Sequence, residues 1–326
     1  MTPVELSRTV LHAVRRAVEQ GELHVVVPER VVVTEPGAGG CGDYATNVAL
    51  QLARAAQETP LRVAEILRPY LVGAEGIRDV VVTGPGFLNI SLGEEADLAA
   101  GVVRDIRECG GGYGHSEVLR GQVVVLRVPY DVRAEVVADA VVRIVGTQGG
   151  RCEVEHGEPV NLRPVPAPED PAPLGADAAQ WALLHPAPHD RPRITADHLV
   201  QRESNPLFRV RYAHARVRAV SRNAGRLGFG AEPGPVDARE AREVLTALSD
   251  YPRILTAAAT HRGPDRLARH LVTVADAVLP FVPTVLPRGE EKPSAAHRAR
   301  LALAEAAGTV LAGGLSLLGI DAPEHL

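Results

Sequence analysis

The chain has 326 residues, 45% hydrophobic and 23% charged, which is enough for two domains with separate cores. It contains no apolar run long enough to span a bilayer, which excludes a transmembrane helix. The formal net charge of −5 does not point to nucleic acid in general, but residues 201–326 carry 17 Arg or Lys against 13 Asp or Glu, so the C-terminal part is basic.

Lys292 is the only lysine among the 35 basic residues. A GC-rich genome produces such an arginine bias without selection for phosphate contacts. The three cysteines, Cys41, Cys109 and Cys152, are far apart and form no C-x-x-C, so neither a zinc site nor a disulfide framework is expected. The N-terminal segment lacks the basic-then-apolar layout of a secretory signal, and a reducing cytoplasm is the expected location.

In chain order, residues 3–20 have the 3.6-residue periodicity of an amphipathic helix, with Val4, Leu6, Leu11, Val14 and Val18 near one face. The β-branched runs HVVVPE and RVVVTE predict a strand pair. GAGGCGDY is a Gly-rich loop, with Asp43 placed to cap a helix running to about Ala56. Pro60 opens another helix, and DVVVTGPGFLNISL reads as strand, turn, strand about Gly84-Pro85-Gly86. Residues 96–108 complete an α+β unit that ends near GGGYGHS at 110–116.

A β-α-β pattern follows. QVVVLRV (122–128) is a continuous apolar strand, residues 131–146 are helical, and RCEVEHG (151–157) is the second strand. RPVPAPEDPAPLG (163–175) is a Pro-rich connector and the expected domain boundary. Beyond Ala176 the sequence reads as a helical bundle with breaks at 228–235, 252, 263–264 and 287–293.

The chemistry-bearing patterns are weak. GAGGCGDY precedes a helix, and helix N-termini bind anions, but there is no G-x-x-x-x-G-K-[ST]. GGGYG precedes a polar loop. His185, His189 and Asp190 cluster in HPAPHD, but Pro-rich spacing gives them no common helical face for a metal, so a solvated loop is expected. Asp131 and Glu135 share a helix face as a surface charge pair. No nucleophile–base pairing stands out, so no catalytic residue, cofactor site or metal site is expected.

Three long segments carry a resemblance. GDYATNVALQLAR (42–54), PLRVAEILRPYL (60–71) and VVVTGPGFLNISL (80–92) resemble, in order and spacing, the N-terminal additional domain of arginyl-tRNA synthetases. Residues 175–220, with NPLFRVRYAHAR at 205–216, resemble the entry to that family's DALR-type α-helical anticodon-binding domain. The ending, RARLALAEAAGTVLAGGLSLLGIDAPEHL, is similar to its closing helices. The family carries a Rossmann domain between these ends, with H-[IV]-G-H and K-M-S-K-S-like motifs that hold ATP. Here the first strand runs into PYDVRAEVVADAVVR with no His-x-Gly-His, and the lysine-bearing loop has no counterpart.

The resemblance therefore implies an α+β multi-domain chain. Residues 1–116 would form the N-terminal α+β additional domain, 117–172 a short Rossmann remnant with the Pro-rich connector, and 173–326 the all-α anticodon-binding bundle. The implied function is non-catalytic tRNA binding, with the D-loop side at the N-terminal domain and the anticodon stem-loop at the C-terminal one. The implied partner is tRNA, arginine tRNA being the one the family's name points to, without a membrane or DNA partner. The alternative is an interaction module docking on another protein, such as a synthetase.

Carried over by motif, Phe87 and Asn89 would lie on the face meeting the D-loop, a ring to stack and an amide to read a base edge. Asn205, Arg209, Arg211, Tyr212, His214 and Arg216 belong to the anticodon-domain signature, with Tyr212 and Arg216 one turn apart on a helix and Arg218 adding charge. Structural alternatives stand beside these roles: Phe87 in the core, Asn89 paired with backbone, Asn205 as a helix cap, and Tyr212 and Arg216 in packing or an ion pair. The family's Tyr-Val-Gln-Tyr appears here as Arg209-Val210-Arg211-Tyr212, and Leu326 replaces a terminal methionine.

Overall fold

A computed structural model describes residues 3–34, 36, 41–74, 76–92, 95–236 and 238–326. Gly37–Gly40 of the Gly-rich loop lie outside the described residues. The fold is mixed α+β, as expected, and divides into two compact units, Met1–Leu98 and Ala99–Leu326. Among the described residues no helix is long and apolar enough to cross a membrane.

The first unit begins with α1 (Pro3–Glu19), whose apolar stripe of Leu6, Val10, Ala13, Val14 and Ala17 is buried. A four-stranded antiparallel sheet follows, in the order β1 (Val33–Thr34), β2 (Tyr44–Thr46), β4 (Phe87–Leu92), β3 (Ile77–Thr83). Between β2 and β3 run α2 (Val48–Ala56) and α3 (Pro60–Val72). Thr59 caps α3 through the Arg62 N–H, and Pro60 fits the first turn because that position has no intrahelical donor to lose.

Two expectations in this unit are corrected. Residues 24–32 form no strand pair, and only Val33 and Thr34 join the sheet, against β2. Pro28 can offer no ladder donor inside the expected hairpin. Asp43 does not cap a helix: a carboxylate oxygen accepts from the Leu92 N–H at 2.8 Å, tying β2 to the end of β4. Gly42 is required there, since at φ 79° a Cβ would lie 2.8 Å from the Ile90 carbonyl oxygen.

Helix α4 (Glu95–Cys109) begins in the first unit and ends in the second, where it leads through a short turn at Gly110–Gly112 to a two-stranded parallel sheet. This sheet is formed by β5 (Val123–Val128) and β6 (Arg151–His156), joined by α5 (Val132–Gly146). Five helices complete the unit: α6 (Ala176–Leu184), α7 (Pro206–Arg226), α8 (Ala238–Thr260), α9 (Pro264–Phe281) and α10 (Ala295–Leu317). The buried side chains of β5, α5 and the five helices form one continuous hydrophobic cluster with Val103 and Ile106 of α4. The Pro-rich connector lies within this compact unit, and the β-α-β segment shares its core with the bundle. Buried Gln148 reinforces this: its amide donates to the Gly114 carbonyl and accepts from the hydroxyls of Ser116 and Thr256 of α8.

The expected break at Pro252 is absent, and α8 runs through it. A proline inside a helix orphans the carbonyl four residues earlier. That carbonyl, of Leu248, accepts instead from the Tyr113 hydroxyl at 3.2 Å, and the Tyr113 ring stacks on Tyr251. The turn GGGYG thus serves α8.

Candidate nucleic-acid interface

Helix α7 carries the anticodon-domain signature. Asn205 is buried at its N-terminus: its side-chain oxygen accepts from the Leu207 and Phe208 N–H groups, and its amide donates to the His198 and Val200 carbonyls. All of its donors are used, so Asn205 is a cap and not a contact residue. The inward face of α7, with Leu207, Val210, Ala213, Val217 and Val220, packs into the bundle. Against Val217 the chain needs a glycine on α10, since a Cβ at Gly308 would lie 2.9 Å from Val217 Cγ1.

His214 is also turned inward. Its Nδ1 lies 2.9 Å from the Pro323 carbonyl, and burial pushes its pKa below the ordinary histidine value. It clamps the C-terminal tail along α7. The expected RNA-facing role for His214 is corrected on this geometry.

The arginines of this helix separate by partner. Arg209 pairs with Asp276 at 3.0 Å, Arg211 with Asp177 at 3.2 Å, and Arg218 with Glu324 of the tail at 2.7 Å. The Nε atoms of Arg209 and Arg211 are buried, so both side chains are partly withdrawn from solvent as well as paired at their heads. Glu324 is kept below the usual carboxylate range by its hydrogen bond to Arg218. Arg216 has no carboxylate partner among the described residues. Its guanidinium sits 6.0 Å from the centroid of the Tyr212 ring, which stacks on Phe208 at 5.3 Å with 15° between planes. Phe208, Tyr212 and Arg216 therefore form an i, i+4, i+8 ladder on the outer face, with Arg216 exposed and Tyr212 37% exposed.

In the first unit Phe87 and Asn89 part company. Phe87 is 40% exposed at the start of β4. Gly86 before it has φ 132°, and a Cβ there would lie 2.7 Å from the Pro60 carbonyl oxygen, so the turn is pressed against the start of α3. Asn89 is only 2% exposed: its oxygen accepts from the Cys41 N–H, and its amide donates to the Thr83 hydroxyl at 2.6 Å and the Val81 carbonyl. It ties the strands that carry Phe87 and does not lie on the outer face, which corrects the expected base contact.

The start of α5 follows the first strand of the β-α-β segment, the usual place for an anion on such folds. Here Asp131 caps the helix through the Ala134 N–H. Two residues on, Arg133 is 0% exposed and donates to five backbone carbonyls, those of Leu183, Val165, Asp190, Pro186 and Ala187, at 2.7–3.0 Å. Burial lowers its pKa against the pull of Asp131, Asp190 and Asp265. The connector and the 183–190 loop are thereby drawn over this helix end. Among the described residues no group of His, Cys, Asp or Glu is arranged to hold a metal. No local pattern marks the Arg133 cluster, because its partners lie 32 to 57 residues away.

Comparison with known proteins joins these observations. Residues 5–92 match the family model described as the arginyl tRNA synthetase N terminal domain, and residues 210–326 match the DALR anticodon binding domain. The chain belongs to the arginyl-tRNA synthetase family. It is 24% identical to the arginine–tRNA ligase of Frankia alni in an alignment of 554 positions that covers all of both chains. With 326 residues available, at least 228 of those positions have no counterpart here. It is 45% identical to the arginine–tRNA ligase of Renibacterium salmoninarum over 127 residues, 38% of this chain and 23% of that protein. Among solved structures, the arginyl-tRNA synthetase of Thermus thermophilus superposes with a TM-score of 0.55 at 14% identity over the whole of both chains. That of Plasmodium falciparum gives 0.56 at 8% identity over 99% of each. These two share the fold with the arginyl-tRNA synthetase-like chain.

Proposed function

We propose that this arginyl-tRNA synthetase-like protein binds tRNA without aminoacylating it. The observation that carries the reading is the Phe208–Tyr212–Arg216 ladder on α7, where the exposed Arg216 guanidinium has no carboxylate partner among the described residues while those of Arg209, Arg211 and Arg218 are paired. A stacked ring beside an exposed cation suits an unpaired base and its phosphate in an anticodon loop. Phe87 at the head of β4 supplies a second ring, for the D-loop side.

Three observations support the absence of ligase chemistry. The sequence has no His-x-Gly-His and only one lysine. The alignment with the Frankia ligase leaves more than two hundred positions unmatched. The start of α5, where such folds hold phosphate, carries the Asp131 carboxylate and lies under a loop drawn in by Arg133.

The test is a gel shift of the full chain with total tRNA at several salt concentrations, beside arginine-dependent ATP–pyrophosphate exchange. Micromolar or tighter binding is expected, weakening with salt and falling at least about tenfold in Arg216→Glu. No binding at low salt would overturn the RNA reading in favour of a protein partner. Arginine-dependent exchange would overturn the non-catalytic one.

A further inference from the structure

The HPAPHD segment is a loop exposed at Pro188, His189 and Asp190, and it forms one wall of an open basin of about 720 Å³ in the second unit. His185, His189, Arg191, Arg193, His198 and Arg269 line it, with Asp190 as the one carboxylate on its walls. Buried Pro192 anchors the extended segment between two exposed arginines, Arg191 and Arg193, and no carboxylate pairs with either among the described residues. Arg269 is held by Asp265 at 3.1 Å yet stays half exposed, and Asp190 lies 3.7 Å from His189. Three guanidinium groups thus face one carboxylate on the walls.

The walls are built before any ligand arrives. Arg133 fixes the Pro186, Ala187 and Asp190 carbonyls from below, and the Val165 N–H donates to the Pro188 carbonyl at 2.8 Å. The His185 ring stacks on Trp181 at 5.0 Å. Burial first, then the nearby positive groups Arg269, His198 and Arg209, push the His185 pKa down to about 4.

We propose that this basin binds a phosphate group carried on a ligand of nucleotide size, supplied either by a free nucleotide or by a nucleotide turned out of a folded RNA. Its volume falls in the range of small-molecule sites, and guanidinium forks match phosphate oxygens in pairs. A preformed wall spares the ordering cost of binding. The site is separate from the α7 ladder and does not depend on it.

The experiment is calorimetric titration of the full chain with inorganic phosphate in low-salt chloride buffer. One saturable site is expected, weakened at least about tenfold by the double variant Arg191→Glu/Arg193→Glu and unchanged by Arg216→Glu. Both exchanged residues are exposed, so the melting temperature should hold. Absence of saturable binding at millimolar phosphate, or equal affinity in the double variant, overturns the proposal. Displacement of phosphate by AMP identifies the free-nucleotide source, and displacement by tRNA alone identifies RNA. Displacement by neither overturns the nucleotide-sized ligand. Loss of tRNA binding with phosphate binding intact would count against the proposed function only, and the converse against the basin only.

Discussion

Helices α5 and α7 start alike and end up doing opposite things. Each begins after an extended residue whose side chain caps the first turn, Asp131 in one and Asn205 in the other, and each places arginines in the turns that follow. Arg133 of α5 points inward and spends every donor on backbone carbonyls, while Arg216 of α7 points outward and has no carboxylate partner among the described residues. The difference lies in what surrounds each helix. A loop rich in proline carries carbonyls that have no partners within the loop, so a buried guanidinium beneath it is well matched. A helix packed by alanine and valine on one side leaves its other side to solvent. An arginine's role therefore follows from its burial, and an arginine-rich sequence does not disclose which of its guanidinium groups are free.

The hardest test of the inward half of this comparison is Arg133→Met, similar in bulk but without donors. Five carbonyls would be left without their partner, and removing one side of a buried charged network costs about 3–5 kcal/mol. Equilibrium denaturation should show a loss of that order, with Arg193→Met at the basin rim within about 0.5 kcal/mol of the parent. A parent-like midpoint for Arg133→Met would mean that the closed end of α5 is held by something else.

Acid should break the inward contacts before the outward ones. Burial lowers the pKa of His185 to about 4 and lowers those of His214 and His270 as well, below the unfolded value near 6.5. Below that unfolded value the unfolded chain binds more protons than the folded one, so the contribution is complete above it. It is lost as pH falls toward about 4. For His185 alone the loss by about pH 5 is on the order of 2 kcal/mol, with His214 and His270 adding in the same direction. Asp265, raised by burial, works the other way. A melting temperature that stays level from neutral pH down to about pH 5 would contradict the inward placement of these rings.

What the sequence made legible follows the same division. The long periodic helices, the GPGF turn, the β5–α5–β6 unit and the Asn205 cap were readable because local spacing determines them. The Pro-rich connector reads locally as a boundary, yet Arg133, 32 residues before Val165, holds it within the second compact unit. Pro252 was misread as a break because the Tyr113 hydroxyl, 135 residues from Leu248, takes up the freed carbonyl. In the candidate site, Tyr212 and Arg216 stand on the exposed face expected of them, but His214 and Asn89 of the same motifs turn inward. A motif records residues that a family keeps for folding together with those it keeps for contact, and only burial separates the two.

The smallest expected effect applies this lesson to one strand. Phe87 and Asn89 are two residues apart, on the same side of the pleat, and belong to one motif, yet the first is exposed at the strand's head and the second is enclosed by Cys41, Val81 and Thr83. Phe87→Ala should leave the melting temperature close to the parent's, because a ring already 40% exposed contributes little burial. It should weaken tRNA binding by about 1 kcal/mol, the lower end of what one stacked base contributes. Asn89→Ala should reverse the pattern, destabilising the first unit by about 1–3 kcal/mol because the Cys41 N–H and the Val81 carbonyl lose a buried partner. If Phe87→Ala lowered stability as much as Asn89→Ala while leaving tRNA affinity untouched, the ring would be packing and not contact, and the outward face of the first unit would lose its assigned partner.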